Sequence, residues 1–363
     1  MFKMKLFTVG PVQMYPKVAD VRNQGIPYFR TQEYGDLVKN CLQELAKLLG
    51  TNYNDNILYL TASGTAAMEA VIDNALTQND KALVINGGSF GHRFCELLGW
   101  HKIPYDAISL KWNESLKKEH LMPYQNKGYT VLLVNLHETS TGQLYDIQML
   151  SDFCQQNNMF LIVDAISTFL ADDYNMDKYK IDATIFSSQK GLCLSPGLSF
   201  VAMSPRMIEK IQNHPQPSSY YFNFKSYLEN IKRGQTPFTP AVCVMYELNE
   251  ILKIIKENGG KEAWLKCIQE KCQYFRQKAS ELGFSIVKDY PLSNMLTPLY
   301  FENEDAYEIF LQLQNKYRIY VNPCGGELAH KLFRVSHIGN TDLADIDDLL
   351  EKLTLVVKDM KND

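Results

Sequence analysis

The sequence predicts an α/β fold: a mostly parallel sheet sandwiched by helices, with a smaller α+β domain at its C-terminal end. Three observations predict it. Short apolar runs alternate with amphipathic helical stretches through most of the chain. Each of those runs ends in a cluster of small polar residues. From about Ala241 the pattern changes to two long helices and then to short strands among helices.

The elements follow in order. Leu37, Val38, Cys41, Leu42, Leu45, Leu48 and Leu49 recur at helical spacing, and Gly50 is placed to end that helix. Ile57–Leu60 reads as a strand, Ala66–Leu76 as a helix and Ala82–Ile85 as the next strand. Tyr129–Leu136 is a continuous apolar strand, as expected where both faces of a sheet are covered. Ile147–Gln156 is a helix, and strands follow at Met159–Val163, Ala183–Phe186 and Leu198–Met203. Val242–Lys256 and Glu262–Leu282 are the two long helices. Short strands at Phe284–Val287, Pro298–Phe301 and Leu332–Val335 come with helices near Ala306–Lys316 and Asp342–Val357. We therefore expect an arm over residues 1–20, a large domain over 21–245 and a small domain over 246–363.

Composition narrows the function. Of 363 residues, 37 are Lys or Arg and 41 Asp or Glu, a net charge of −4. Nucleic-acid binders show a basic excess instead. The apolar runs fall far short of the ~18–20 residues of a membrane span. Met1–Lys5 leads into neither a signal core nor a transit segment, and the eight cysteines lack any CxxC pair. No metal and no membrane partner are expected, and the cytoplasm is the expected compartment.

In a parallel sheet, ligands bind beyond the strand C-termini, and that is where the polar clusters fall. Ser63-Gly64-Thr65 sits between a strand and a helix, where free N–H groups and the helix dipole suit a phosphate. Taken singly it is equally a plain helix cap. Asp164 ends one apolar strand and is otherwise a cap for the segment after it. Lys190 follows another strand and is otherwise a loop lysine. Together, a phosphate cradle, a buried carboxylate and a strand-end lysine are what pyridoxal 5'-phosphate requires.

Those residues lie in longer segments that resemble the class V aminotransferases, of fold type I of the pyridoxal-phosphate enzymes. The segments are Thr8-Val9-Gly10-Pro11, Ser63–Ala70, Asn86–Arg93, His137–Gly142, Val163–Ser167, and Ser188-Gln189-Lys190-Gly191 followed by Ser195-Pro196-Gly197. The chain is similar to alanine–glyoxylate/serine–pyruvate and 2-aminoethylphosphonate–pyruvate aminotransferases. The resemblance implies that Lys190 anchors the cofactor and shuttles the proton, and that Asp164 pairs with the ring nitrogen. It places Phe90 on one face of the ring and Ile166 under the other, with Thr139 at the phenolic oxygen. Ser63, Gly64, Thr65 and Gln189 would hold the phosphate, and Arg334 would grip the substrate carboxylate. Thr236 and Thr239 would reach the site of the neighbouring subunit, making a homodimer with shared active sites.

By their residue types alone, Phe90 also reads as a core aromatic, Thr139 as a turn residue and Arg334 as half of a surface ion pair. Thr236–Pro240 also reads as a kink between domains. The resemblance implies a place for Arg30 near the entrance, reading a second acidic group; by its residue type it is equally a surface arginine. The implied activity is transamination between a small amino acid (alanine or serine) and glyoxylate or pyruvate. The alternative is 2-aminoethylphosphonate–pyruvate transamination, towards which Asp164-Ala165-Ile166-Ser167-Thr168-Phe169 leans. A desulfurase would need a mobile cysteine, for which Cys324 is the candidate. A non-catalytic scaffold would have lost Lys190 or Asp164, and both are present.

Overall fold

A computed structural model describes residues 4–287 and 289–362. Seven strands form the main sheet: β1 (Ile57–Leu60), β2 (Ala82–Asn86), β3 (Tyr105–Ser109), β4 (Val131–Asn135), β5 (Phe160–Asp164), β6 (Ala183–Ser187) and β7 (Ser199–Met203). Their spatial order is β1-β7-β6-β5-β4-β2-β3. All pairings are parallel except those of β7, which runs antiparallel to both β1 and β6. Every residue of β4, β6 and β7 is buried. That two-sided burial is why these strands read as unbroken apolar runs.

Helices cover both faces of the sheet. Helix α1 (Gln32–Leu49) begins at the Thr31 cap, earlier than its apolar spacing shows, and stops at Gly50, whose φ of 70° a side chain would resist. Helix α2 (Gly64–Ala75) follows β1, α3 (Ser89–Trp100) follows β2, and α4 (Ile147–Gln156) precedes β5.

Four elements of this layer were not legible as periodic patterns. Strand β3 lies at the sheet edge with three of its five residues exposed, so it carries no apolar run. Helix α3 starts in a glycine-rich stretch. Gly91 is required inside it because a Cβ there would press on the backbone of Ile85 and Asn86. Helix α5 (Pro205–Asn213) is announced by its Ser204 cap and by Pro205 in its first turn, and α6 (Phe224–Ile231) by its Asn223 cap.

The chain then forms α7 (Val242–Glu257) and α8 (Gly260–Glu281) and enters a second, antiparallel sheet. Its strands are β8 (Ser285–Ile286), β9 (Leu296–Tyr300), β10 (Asn322–Pro323) and β11 (Leu332–Ser336), in the order β8-β9-β11-β10. Helices α9 (Ala306–Gln312) and α10 (Leu343–Asn362) pack with α8 around a separate core containing Phe275, Leu299, Phe333 and Leu349. The N-terminal stretch ties the two cores together. Lys5 and Leu6 pair in parallel with Ile319 and Tyr320, and Phe7 enters the second core. Val9 and Val12 then enter the first.

Gly191, next to Lys190, leaves no room for a side chain: a Cβ would run into the carbonyl oxygen of Phe169. Backbone cannot yield as a flexible side chain does. Gly191→Ala should therefore cost about 1–3 kcal/mol of stability, read as a lowered thermal unfolding midpoint. An unchanged midpoint would show that the turn has slack.

Candidate active site

The C-terminal ends of β1, β2, β4, β5 and β6 bring the polar clusters to one rim. Asp164 closes β5, and its register partner on β4 is Asn135. Asn135 Nδ2 donates to Asp164 Oδ2 at 2.9 Å, and the Ile166 N–H donates to Oδ1 at 2.8 Å. Burial pushes the Asp164 carboxyl up to about 6, against the pull of those two hydrogen bonds and of Lys190.

Lys190 lies just beyond β6, buried. Burial pushes its ammonium down to about 8; Asp164 opposes that shift, and Arg334 adds to it. Its Nζ stands 5.7 Å from the centre of the Phe90 ring. Its stem rests on Gly10, where a Cβ would come within 3.0 Å of Lys190 Cγ.

Phe90 is placed by a carboxylate that pattern reading missed. Glu138 is fully buried and takes the free N–H groups at the start of α3: Phe90 N at 3.2 Å and Gly91 N at 3.0 Å, both to Oε2. Its Oε1 receives the Ser140 N–H at 3.2 Å and the Ser140 hydroxyl at 2.5 Å. A buried anion on a helix N-terminus is favoured by the orphan donors and by the dipole. One side chain thus joins the helix carrying Phe90 to the loop carrying Thr139. The available signal was an acidic residue just after a fully apolar strand, where burial demands partners.

The cradle lies beside this group. Ser63 caps α2, its Oγ accepting the Ala66 N–H at 3.4 Å. Gly64 lets the loop close over Ile166, since a Cβ there would strike Ile166 Cδ1. Thr65 Oγ1 accepts from Arg93 Nη1 at 3.1 Å, and the Arg93 guanidinium carbon lies 5.0 Å from the Phe90 ring centre. Arg93, which residue pattern alone does not single out, sets a positive charge beside the cradle. Gln189 is half-buried next to Lys190.

On the other side of the site, Thr139 and Arg334 line a cavity of about 860 Å³ together with Phe90, Ser140, Trp112 and Tyr300. Arg334 comes from β11 of the second sheet. Its Nη1 donates to Thr139 O at 2.7 Å and its Nη2 to Pro323 O at 2.6 Å, while its buried Nε has no partner. Among the described residues no carboxylate pairs with it, so the surface ion pair is not what forms. The Thr139 hydroxyl is also buried without a partner.

Contacts thus connect Lys190, Phe90, Arg93 and Thr65, connect Gly64 and Ile166 to Asp164, and connect Thr139 to Arg334. No hydrogen bond or ring contact among the described residues joins Thr236 or Thr239 to this group. Thr236 donates its hydroxyl to Phe238 O at 2.7 Å, and Thr239 is exposed beside an apolar groove. Arg30 is engaged elsewhere: it donates to Gln235 Oε1, Thr236 O and Pro237 O at 2.9–3.3 Å.

The family described as aminotransferase class-V matches residues 22–349 of this chain. The chain belongs to the class V aminotransferases. This aminotransferase is 29% identical over 365 residues to an uncharacterized aminotransferase of Methanocaldococcus jannaschii, covering 99% of this chain and 94% of that relative. It is 25% identical over 364 residues to the serine–glyoxylate aminotransferase of Arabidopsis thaliana, covering 98% and 90%. The solved structure of alanine–glyoxylate aminotransferase from Nostoc sp. superposes with a TM-score of 0.92 at 26% identity, covering 98% of this chain and 96% of that one. The fold is that of fold-type I enzymes, and the cofactor is pyridoxal 5'-phosphate.

The residues present fit that group. A buried lysine with a lowered pKa stands at one strand end and a buried carboxylate at the next. The Thr139 hydroxyl awaits a partner, and Gly64 opens a cradle at a helix N-terminus.

The titration of Lys190 has a kinetic consequence. Only the neutral amine attacks an aldehyde, so cofactor-free protein should take up pyridoxal 5'-phosphate faster as pH rises, levelling above about 8. Stopped-flow absorbance measures this. A rate still climbing near the ordinary lysine value of 10.5 would show Lys190 to be solvated.

Proposed function

We propose that this aminotransferase transfers the amino group between a small amino acid (alanine or serine) and glyoxylate or pyruvate. One observation carries the reading. Arg334 is a buried guanidinium at the cavity wall, fixed by two carbonyl oxygens and, among the described residues, in direct ion pair with no carboxylate. An unpaired buried cation is costly, and a substrate carboxylate supplies the missing anion in a planar, two-pronged geometry. The serine–glyoxylate and alanine–glyoxylate names of its relatives support small substrates.

In this reading Ser63, Gly64, Thr65 and Gln189 hold the cofactor's phosphate, and Thr139 donates to its phenolic oxygen. Phe90 and Ile166 would flank its ring, and Asp164 would accept from its ring nitrogen. Bound there, pyridoxal phosphate would supply a ring able to take up the electron pair of the substrate Cα–H bond. Lys190 Nζ, whose pKa burial lowers to about 8, would receive the Cα proton and give it back. Arg334 fixes the carboxylate and so orients that bond. Asp164, with its upward shift to about 6, stays mostly anionic at neutral pH, and Asn135 and the Ile166 N–H hold it in place.

Residues 1–20, 21–245 and 246–363 act as arm, large domain and small domain. Two copies associate so that Thr236 and Thr239 complete the neighbouring subunit's phosphate site. The exposed groove lined by Ile26, Pro27, Tyr28, Thr239 and Val242, with Ile26 71% and Tyr28 68% exposed, supports that contact. The free cysteines support a reducing cytoplasm, and no helix among the described residues is long and apolar enough to cross a membrane. Cys324 does not favour a desulfurase: burial pushes its thiol up, the reverse of what a nucleophilic thiolate needs.

Single-turnover half-reactions test the reading. Holoenzyme should convert alanine or serine faster than 2-aminoethylphosphonate, followed by cofactor absorbance. Arg334→Ala should lose roughly 30- to several-thousand-fold in kcat/KM for carboxylate substrates while keeping the absorbance of bound cofactor, and Arg334→Lys should recover part of the loss. Unchanged kinetics with alanine and pyruvate in Arg334→Ala would sink the assignment. Asp164→Asn should cost orders of magnitude in rate, because the ring nitrogen loses an anionic partner. A loss of only about twofold would reduce Asp164 to a capping residue.

A further inference from the structure

Asp172 is a buried carboxylate that the chemistry above does not use. It lies at the end of the turn that follows β5 and Asp164. It accepts the Ser293 hydroxyl and, at 2.8 Å, the Asn294 N–H. Arg276 on α8 serves the same stretch with the opposite polarity. Its Nη2 donates to Ser293 O at 2.6 Å and to Leu296 O at 3.0 Å, and its Nε donates to Thr297 Oγ1 at 2.9 Å. Burial pushes Asp172 up to about 6, while its two hydrogen bonds and Arg276 pull the other way. Among the described residues Asp172 and Arg276 form no direct ion pair. Each acts on the backbone between them.

That backbone leads to the substrate site. Ser293 N donates to Gly142 O at 3.2 Å, and the Tyr290 hydroxyl donates to Thr141 O at 2.7 Å, both in the loop that carries Thr139. The stretch then enters β9, where Pro298 stands opposite Arg334 of β11. Proline has no N–H to give the ladder, so on this side Arg334 is placed by the neighbouring pairs of β9, and on the other by its pairing with Asn322 of β10. Thr297 Oγ1 also meets His337 Nε2 at 2.8 Å, just past the end of β11.

We propose that Asp172 and Arg276 form a latch on residues 293–297 that positions Arg334 for the substrate carboxylate. The purpose of the latch rests on the reading of Arg334 given above. Neither residue touches substrate; both are positioning residues, joining the sheet that carries Asp164 to the sheet that carries Arg334.

The test compares Asp172→Asn, Ser293→Ala and Arg334→Ala holoenzymes. For each one measures kcat and KM for alanine and glyoxylate, the absorbance of bound cofactor, thermal unfolding and amide hydrogen exchange over 332–336. Asp172→Asn should raise KM for both substrates roughly tenfold to a hundredfold, the size expected from a small misplacement of a binding group. Its cofactor absorbance should stay as in the parent, and exchange over 332–336 should quicken. Ser293→Ala should shift KM the same way by less, and it carries the test if Asp172→Asn does not fold. Lowered thermal stability with unchanged KM and unchanged exchange would overturn the latch and leave Arg334 as assigned. If Arg334→Ala itself leaves KM unaltered, the carboxylate reading fails separately. Exchange over 332–336 then decides: quickened exchange upholds a latch on the strand, and unchanged exchange overturns it.

Discussion

A carboxylate taken out of water must be given donors, and the rim of this sheet is organised by that requirement. Asp164 and Glu138 are both buried, and between them they take up N–H groups from Ile166, Phe90, Gly91 and Ser140 and an amide hydrogen from Asn135. These bonds reach across from β5 to β4, and from the loop after β4 to the start of α3. If either anion were left unsatisfied, the penalty would be of order 1–3 kcal/mol or more per group. The sheet ends and the loops above them are therefore held in one arrangement. Lys190 is set within that arrangement, where loss of solvent lowers its pKa and nearby carboxylates limit the drop.

The same logic separates two guanidinium groups. Arg276 spends its Nε and Nη2 on three acceptors of one stretch, Ser293 O, Leu296 O and Thr297 Oγ1. Arg334 uses Nη1 and Nη2 on single carbonyls and keeps a buried Nε unused. A side chain whose donors converge on its own protein serves structure, whereas one with a buried donor left unpaired is available to an incoming anion. Arg30 falls with the first kind, since the Thr236 and Pro237 carbonyls and the Gln235 side chain accept from it.

How much of this was legible in the sequence depended on whether the physics was local. Strands buried on both faces announce themselves by composition, so β1, β2, β4, β5, β6 and β7 were visible, and with them the strand-end positions of Asp164 and Lys190. Edge strand β3 faces solvent and left no trace. Helix α3 depends on a glycine that only its packing against β2 explains. Glu138 lies within the polar cluster His137–Gly142, but the helix start that it holds lies 47 and 48 residues away along the chain. Arg334 was named by resemblance and not by its residue type, and only the folded chain shows that, among the described residues, no carboxylate forms an ion pair with it. Thr236 and Thr239 form no hydrogen bond to the rim within one chain, and their proposed place in a shared site is a matter of assembly that one chain's pattern does not describe.

The N-terminal stitch has a consequence for how the enzyme comes into being. Lys5 and Leu6 pair with residues made more than three hundred positions later, and Gly10, a few residues on, supports the stem of Lys190. Contacts so distant in sequence carry a large loop-closure cost and form late. During synthesis the first sheet and its core can assemble while the ribosome is still making the second. Lys5 and Leu6 must wait until the strand at Ile319–Tyr320 has emerged. The join between the N-terminal stretch and the second sheet is therefore made near the end of translation, and a chain cut short before residue 319 would hold every group of the large rim yet leave that stretch anchored only on the first core, through Val9 and Val12.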